Sequence, residues 1–174
     1  MSINKILVTL SAVATCMLHA CNSTGCTDNK SSLPLAGFYS YQTLQPVTIQ
    51  NISVGAVDAP DDSLLIEAGN ASKLYLPFNI GENTTTFFIR YLDEGLNDPR
   101  YFDTVTFNYN RIPYFASEEC GAMYQYEVVS YTHTSHHIDS VSVPRPVINN
   151  IDRESIQLFF RTLDTNQEED EQQP

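Results

Sequence analysis

The feature that most constrains the fold is a series of short runs rich in β-branched and aromatic residues, separated by clusters of turn-forming residues. Nine runs predict strands, at residues 35–41, 47–57, 64–67, 74–78, 84–92, 102–109, 124–131, 138–143 and 156–160. After residue 20, no stretch of the chain shows the apolar period of an amphipathic helix. The sequence therefore predicts an all-β, immunoglobulin-like antiparallel β-sandwich of about nine short strands.

The run at residues 102–109 illustrates the alternation expected of a half-buried strand. Three side chains fall on the face that we expect to enter the core: Val105, Phe107 and Tyr109. Proline cannot donate to a strand ladder, so we expect edge strands or crossings between sheets around Pro113 and around the pair Pro144 and Pro146.

The N-terminus predicts an export signal. An apolar run from Ile6 to Leu18 follows Lys5, and the residues His19, Ala20 and Cys21 come directly after it. The run is too short for a membrane-spanning helix, which needs about 20 residues. We expect a lipoprotein signal peptide over residues 1–20, cleaved before Cys21, with fatty acyl chains such as palmitate attached to that cysteine.

The rest of the chain divides by composition. Residues 21–32 are polar and predict a lipidated tether, and we expect the β-sandwich domain over residues 33–163 and an acidic disordered tail over residues 164–174. Two cysteines, Cys26 and Cys120, remain in the mature domain, and in an oxidising compartment we expect a disulfide between them. That bond would close a loop of roughly 95 residues and stabilise the fold by about 4 to 5 kcal/mol. The alternative is two free thiols.

Charge and motifs limit the classes of function. The chain has 9 Lys and Arg against 21 Asp and Glu, a net charge of −12, so nucleic acid is not an expected partner. The sequence has no nucleophile elbow, no zinc-protease motif and no glycine-rich phosphate loop. We therefore predict no catalytic residues and a protein that is not an enzyme.

The histidines of the mature chain cluster at His133, His136 and His137, with Asp139 just beyond. We place them in a hairpin turn, with residues 134–137 as the loop. Convergence of these four side chains would suit a transition metal. Their order matches no familiar zinc pattern, so we favour an exposed polar turn and predict no cofactor.

An Asp-(Ser/Thr)-apolar triplet occurs three times, with its hydroxyl residue at Ser63, Thr104 and Ser140. The triplet resembles the acceptor pattern for O-linked glycans in envelope proteins of Bacteroidota. An aspartate in a turn followed by a strand-forming residue gives the same triplet. Glycosylation and ordinary turn chemistry both remain open.

Five segments, at residues 21–26, 38–39, 115–121, 133–141 and 149–150, together resemble a family of small lipoproteins of unknown function from Bacteroidota. The resemblance implies a lipid-anchored β domain, a second cysteine near the stem, a late Cys-Gly pair and no assigned activity. Surface lipoproteins of these bacteria carry acidic residues a few positions after the lipidated cysteine, whereas residues 22–25 here are Asn, Ser, Thr and Gly. This departure favours the periplasmic face of the outer membrane over the cell surface.

These observations predict an uncharacterised lipid-anchored protein of the cell envelope that serves as a non-enzymatic binding or structural module. Its expected partners are the membrane, through the lipid anchor, and an unidentified envelope protein or glycan. The alternative is a metal-binding periplasmic domain that uses the turn at His133, His136 and His137.

Overall fold

The computed structural model describes residues 32–118 and 121–162. Ten strands occur in this part of the chain: β1 (Leu35–Ser40), β2 (Ile49–Ala56), β3 (Leu64–Ala71), β4 (Lys73–Tyr75), β5 (Thr84–Tyr91), β6 (Asp103–Ser117), β7 (Gly121–His133), β8 (Ile138–Ser142), β9 (Val147–Ile148) and β10 (Glu154–Phe160). Two single-turn 3-10 helices, Pro60–Asp62 and Pro99–Tyr101, are the only helical segments among the described residues. Over the same residues, no helix is long and apolar enough to span a membrane.

The strands form two sheets. One has the order β4-β1-β10-β8 and the other the order β3-β2-β5-β6-β7-β9. All pairings are antiparallel except that between β1 and β10. The two sheets pack as a β-sandwich, which confirms the predicted all-β fold class. Each of the nine predicted runs overlaps a strand of the structure, and the remaining strand, β9, was not predicted.

The core lies between the apolar faces of the two sheets. Its fully buried side chains come from both, and they include Phe38, Ile52, Ile89, Phe107, Ile156, Leu158 and Phe160. The alternation predicted for β6 is confirmed, since Val105, Phe107 and Tyr109 are all buried. Burial of these side chains is the main stabilising contribution, at roughly 1.5–3 kcal/mol for each large one.

The structure corrects one expectation about the connections between strands and agrees with another. The histidine turn is not a hairpin: it leads from β7 in the six-stranded sheet to β8 in the four-stranded sheet. The prolines behave as expected. Pro144 and Pro146 lie in the crossing from β8 to β9, and Pro113 lies where β6 pairs with β7 alone, beyond its last pair with β5 at Asn108.

The strand directions divide the loops between two ends of the sandwich. The hairpin end comprises the β6–β7 hairpin, residues 57–63, residues 76–83 and residues 149–153. The described chain also begins at this end, where the Ser32 hydroxyl lies 3.9 Å from the sulfur of Met123 in β7. The histidine end comprises residues 41–48, 92–102 and 134–137.

Candidate functional site

The turn that carries the histidines is built around a buried carboxylate. Asp103, the first residue of β6, is 0% exposed to solvent. Its two oxygens accept five hydrogen bonds, from the hydroxyls of Thr134 (2.7 Å) and Tyr91 (2.9 Å) and from the backbone N–H groups of His136 (2.9 Å), His137 (2.7 Å) and Ile138 (2.9 Å). The carboxylate thus satisfies three consecutive backbone donors at the point where the chain crosses between the sheets.

The electrostatics of this cluster keep the carboxylate charged. Burial acts to raise the pKa of Asp103, but the backbone N–H groups and the Thr134 hydroxyl outweigh it, and the pKa lies below its usual value. Burial, together with the neighbouring carboxylate, raises the pKa of Tyr91, so its hydroxyl stays a donor. Burial lowers the pKa of the His137 imidazole, which favours its neutral form.

The structure places the predicted metal ligands in four different environments. The Nε2 atom of His133 lies 3.2 Å from the backbone oxygen of Asp139, His136 is exposed, and the ring of His137 packs on Tyr91 at a centroid distance of 4.5 Å. The Asp139 carboxylate pairs with Arg161 at 3.0 Å. Across residues 32–118 and 121–162, no three His, Cys, Asp or Glu side chains form a group that could hold a metal ion.

The histidine turn is less exposed than the sequence predicts. Of its three histidines only His136 is exposed, whereas His133 and His137 are half-buried. The difference arises because the turn passes over the edge of the sandwich and is fixed from inside by Asp103, which the sequence analysis singled out only as part of a possible glycan motif.

We expect alanine at His133, His136 and His137 together to lower the free energy of unfolding by about 1 kcal/mol, mostly through loss of the ring contact between His137 and Tyr91. Addition of zinc or copper should leave the melting temperature unchanged. Differential scanning calorimetry with and without each metal tests this. A metal-induced rise that vanishes in the triple variant would establish a metal site instead, because a ligand that binds only the folded state must stabilise it.

The three predicted glycan acceptors are not equivalent. Ser63 is exposed, directly after the 3-10 helix Pro60–Asp62, and its backbone N–H donates to the carbonyl of Pro60 at 3.2 Å. Thr104 and Ser140 are half-buried within β6 and β8. Of the three hydroxyl residues, Ser63 offers the most accessible position for modification, and glycosylation stays a prediction.

Three predicted sites lie outside the described residues: the lipidation site Cys21 and the two cysteines of the expected disulfide, Cys26 and Cys120. The described flanks of the latter pair are neighbours in space, because Ser32 lies beside Met123. The disulfide stays a prediction.

A cleft of about 720 Å³ lies at the hairpin end, between residues 56–65 and residues 77–86. Its lining combines apolar side chains (Val57, Leu65, Pro77, Phe78, Ile80) with carboxylates and hydroxyls (Asp58, Glu82, Ser63, Thr84, Thr86). Such a mixture is typical of binding clefts, in which apolar area supplies affinity and a few polar groups fix orientation.

The wall of the cleft is fixed to the core by Tyr109. The Phe78 ring stacks on the Tyr109 ring at a centroid distance of 4.3 Å. The Tyr109 hydroxyl lies 2.7 Å from the Thr85 hydroxyl and donates to the backbone oxygen of Asn79 at 2.9 Å. The Thr85 oxygen in turn accepts the backbone N–H of Asn79 at 2.9 Å. These contacts hold the loop before β5 in one conformation, so one side of the cleft is preformed.

A second set of contacts joins the rim of the cleft to β6. The Arg111 guanidinium donates to the side-chain oxygen of Asn83 at 2.9 Å and to the backbone oxygen of Ile80. Ile80 itself is 65% exposed and stands at the rim. The arrangement presents an apolar side chain to solvent on a fixed backbone.

The β6–β7 hairpin extends beyond the rest of the six-stranded sheet. Past Asn108, β6 pairs only with β7. The cross-strand pairs Pro113 with Tyr124 and Phe115 with Ala122 place four exposed apolar residues on one face of this extension. The predicted strand ends at residue 109, whereas β6 continues to Ser117.

A family model described as a family of unknown function, DUF6452, matches residues 51–160, more than half of the chain. The matched segment begins within β2 and ends at the last residue of β10, and it includes Asp103, the cleft and the hairpin. No curated protein and no solved structure matches the chain.

Proposed function

This chain belongs to DUF6452, a family of unknown function, and from its own residues we propose that it is a lipid-anchored, non-enzymatic binding module of the cell envelope. The anchor is the acylated Cys21 at the end of the signal peptide, and the location is the periplasmic face of the outer membrane. The β-sandwich is the binding domain. Its partner is an envelope protein that docks at the cleft of the hairpin end.

The cleft is the observation that supports a binding role most directly. Its volume of about 720 Å³ lies within the usual range for ligand sites, and its wall is held by the buried contacts of Tyr109. A preformed wall lowers the entropy that binding costs. Two apolar side chains at the rim, Val57 and Ile80, are exposed and give a partner apolar area to bury.

Charge favours a particular kind of protein partner. The carboxylates of Asp58 and Glu82 line the cleft, and the whole chain has a net charge of −12. An acidic rim around apolar side chains is complementary to a segment that combines basic and apolar residues. The only aromatic ring in the lining, Phe78, is buried, so the cleft lacks an exposed ring on which a sugar would stack. A protein segment is therefore favoured over a glycan.

Site-specific photo-crosslinking in intact cells tests this function. A photoreactive residue in place of Ile80 samples the cleft rim, and the same residue in place of Leu44 samples an equally exposed position at the histidine end, since their exposures are 65% and 62%. We expect a discrete protein adduct from position 80 alone. Glu82→Lys in the same protein should reduce its yield, because the substitution reverses a charge beside the cleft.

Two results would contradict the proposal. Equal adducts from positions 80 and 44 would mean that the cleft has no preferred partner. An adduct at position 80 that is sensitive to glycosidases and contains no peptide from a second protein would show that the cleft binds a glycan. Mass spectrometry of the excised adduct distinguishes the two classes of partner.

A further inference from the structure

The β6–β7 hairpin presents an apolar face that no described residue covers. Its members are Pro113 and Phe115 in β6 and Ala122 and Tyr124 in β7, which lie in directly opposed pairs. All four are exposed, Phe115 by 67% and Tyr124 by 42%. The face continues the buried face of the sheet, on which Tyr109 and Tyr126 lie, past the end of the core.

We propose that this hairpin face rests on the lipid surface to which the protein is anchored. The inference depends on the lipid anchor of the proposed function, and it adds which part of the domain faces the membrane. The occupant of the face is the headgroup region of the bilayer. A second copy of the chain is the competing occupant, and the experiment separates the two.

The path of the chain is the first argument. The described structure begins at Ser32, whose hydroxyl lies 3.9 Å from the sulfur of Met123, one residue from Tyr124 of the hairpin face. Cys21 precedes Ser32 by a segment that spans at most about 35–40 Å when fully extended. The lipid anchor is therefore attached to the same end of the sandwich as the hairpin, and its length keeps the hairpin within reach of the bilayer.

The length of the hairpin is the second argument. From Asn108, the last residue of β6 paired with β5, to Ser117 the strand advances about 30 Å. The hairpin therefore projects beyond the loops that line the cleft. When its tip touches the membrane, the cleft is held away from the surface, which leaves space for a protein partner.

The chemistry of the face sets the depth and the kind of lipid. From Pro113 to Ser117 and from Gly121 to Tyr124 the two strands pair only with each other, so deep insertion would leave their outer backbone groups without hydrogen-bond partners in hydrocarbon. Tyrosine favours the boundary between headgroups and acyl chains, where its ring is buried and its hydroxyl stays wet. The exposed Glu118 at the tip and the net charge of −12 disfavour anionic lipid. Contact is therefore shallow and suits a zwitterionic surface.

The absence of tryptophan from the chain makes the test direct. The acylated full-length protein with the single substitution Phe115→Trp is reconstituted into phosphatidylcholine vesicles that contain lipid brominated either near the glycerol or deep in the acyl chain. Leu44→Trp, at a position 62% exposed at the opposite end, is the matched control.

We expect the emission of tryptophan 115 to shift to the blue on reconstitution and to be quenched more by the shallow bromines than by the deep ones. The emission of tryptophan 44 should stay at the wavelength of a solvated indole and be unaffected by bromine. Phosphatidylglycerol in place of part of the phosphatidylcholine should weaken the quenching at position 115.

Flotation of the same vesicles separates this inference from the lipid anchor. Protein that floats with the vesicles but whose tryptophan 115 is unquenched would leave the anchor in place and overturn the hairpin contact. Protein that does not float would overturn both. A blue shift without bromine quenching, accompanied by crosslinking between hairpins, would show that a second copy covers the face.

Discussion

Replacement of Asp103 by alanine should lower the free energy of unfolding by about 3–5 kcal/mol. This is the loss expected when a buried charged group that accepts several hydrogen bonds is removed. The substitution leaves two hydroxyls and three backbone N–H groups without their acceptor. Domains of this size are stable by only about 5–15 kcal/mol. We expect a large fall in the urea midpoint with an unchanged slope, measured by circular dichroism.

Asp139→Ala is the matched control for this prediction. It removes an aspartate near the same turn, but one whose carboxylate forms a partly exposed ion pair with Arg161. Such pairs contribute at most about 1 kcal/mol. If both variants lose the same stability, Asp103 does not organise the crossing between the sheets.

The lowered pKa of Asp103 fixes the direction of the pH effect. Because the folded state favours the charged form, the carboxylate contributes its stabilisation at pH values above its unfolded pKa of about 3.9. That contribution is lost as the pH falls through the lower pKa of the folded state. The difference in stability between the wild type and Asp103→Ala should therefore be constant near neutrality and shrink below about pH 4.

Most of the strands could be predicted because their signals are local. The alternation of Val105, Phe107 and Tyr109 is legible within one segment, and burial in the structure follows it. The strand β6 continues to Ser117, beyond the predicted run at residues 102–109, although it contains Pro113, which cannot donate to a ladder. This proline is tolerated here because that stretch pairs with β7 alone. The strand β9 has two residues, too few to show a period.

The site features depend on contacts between distant residues, which a single sequence does not display. Asp103 lies 31 residues before Thr134 and 35 before Ile138, yet it binds both. The wall of the cleft is fixed by Tyr109, which lies 30 residues beyond Asn79. The apolar hairpin face was not predicted either, because its exposure depends on where the neighbouring strands end.

Replacement of Cys21 by alanine should have the largest effect on the behaviour of the protein in cells. The thiol of Cys21 is the predicted acceptor of the acyl chain, and without it we expect an unprocessed precursor that retains residues 1–20. One acyl chain gives only marginal membrane binding, and stable anchoring needs two or more. The wild type should therefore fractionate with the outer membrane after a salt wash. Cys21→Ala should be absent from the outer membrane.

Cys16→Ala is the control for that variant, because Cys16 lies within the predicted signal peptide and should be removed with it. It should be processed and acylated like the wild type. Equal labelling of wild type and Cys21→Ala by an alkyne fatty acid would contradict the assignment of the acceptor.

The mass of the N-terminal peptide of the mature protein tests the central claim most directly. The protein is purified from envelopes in detergent, digested, and the peptide that contains Cys26 is measured by mass spectrometry after reduction. The account predicts a peptide that begins at Cys21 and carries a diacylglycerol, with or without a third acyl chain. A peptide that begins at any other residue, or an unmodified Cys21, would show that the domain has no lipid anchor.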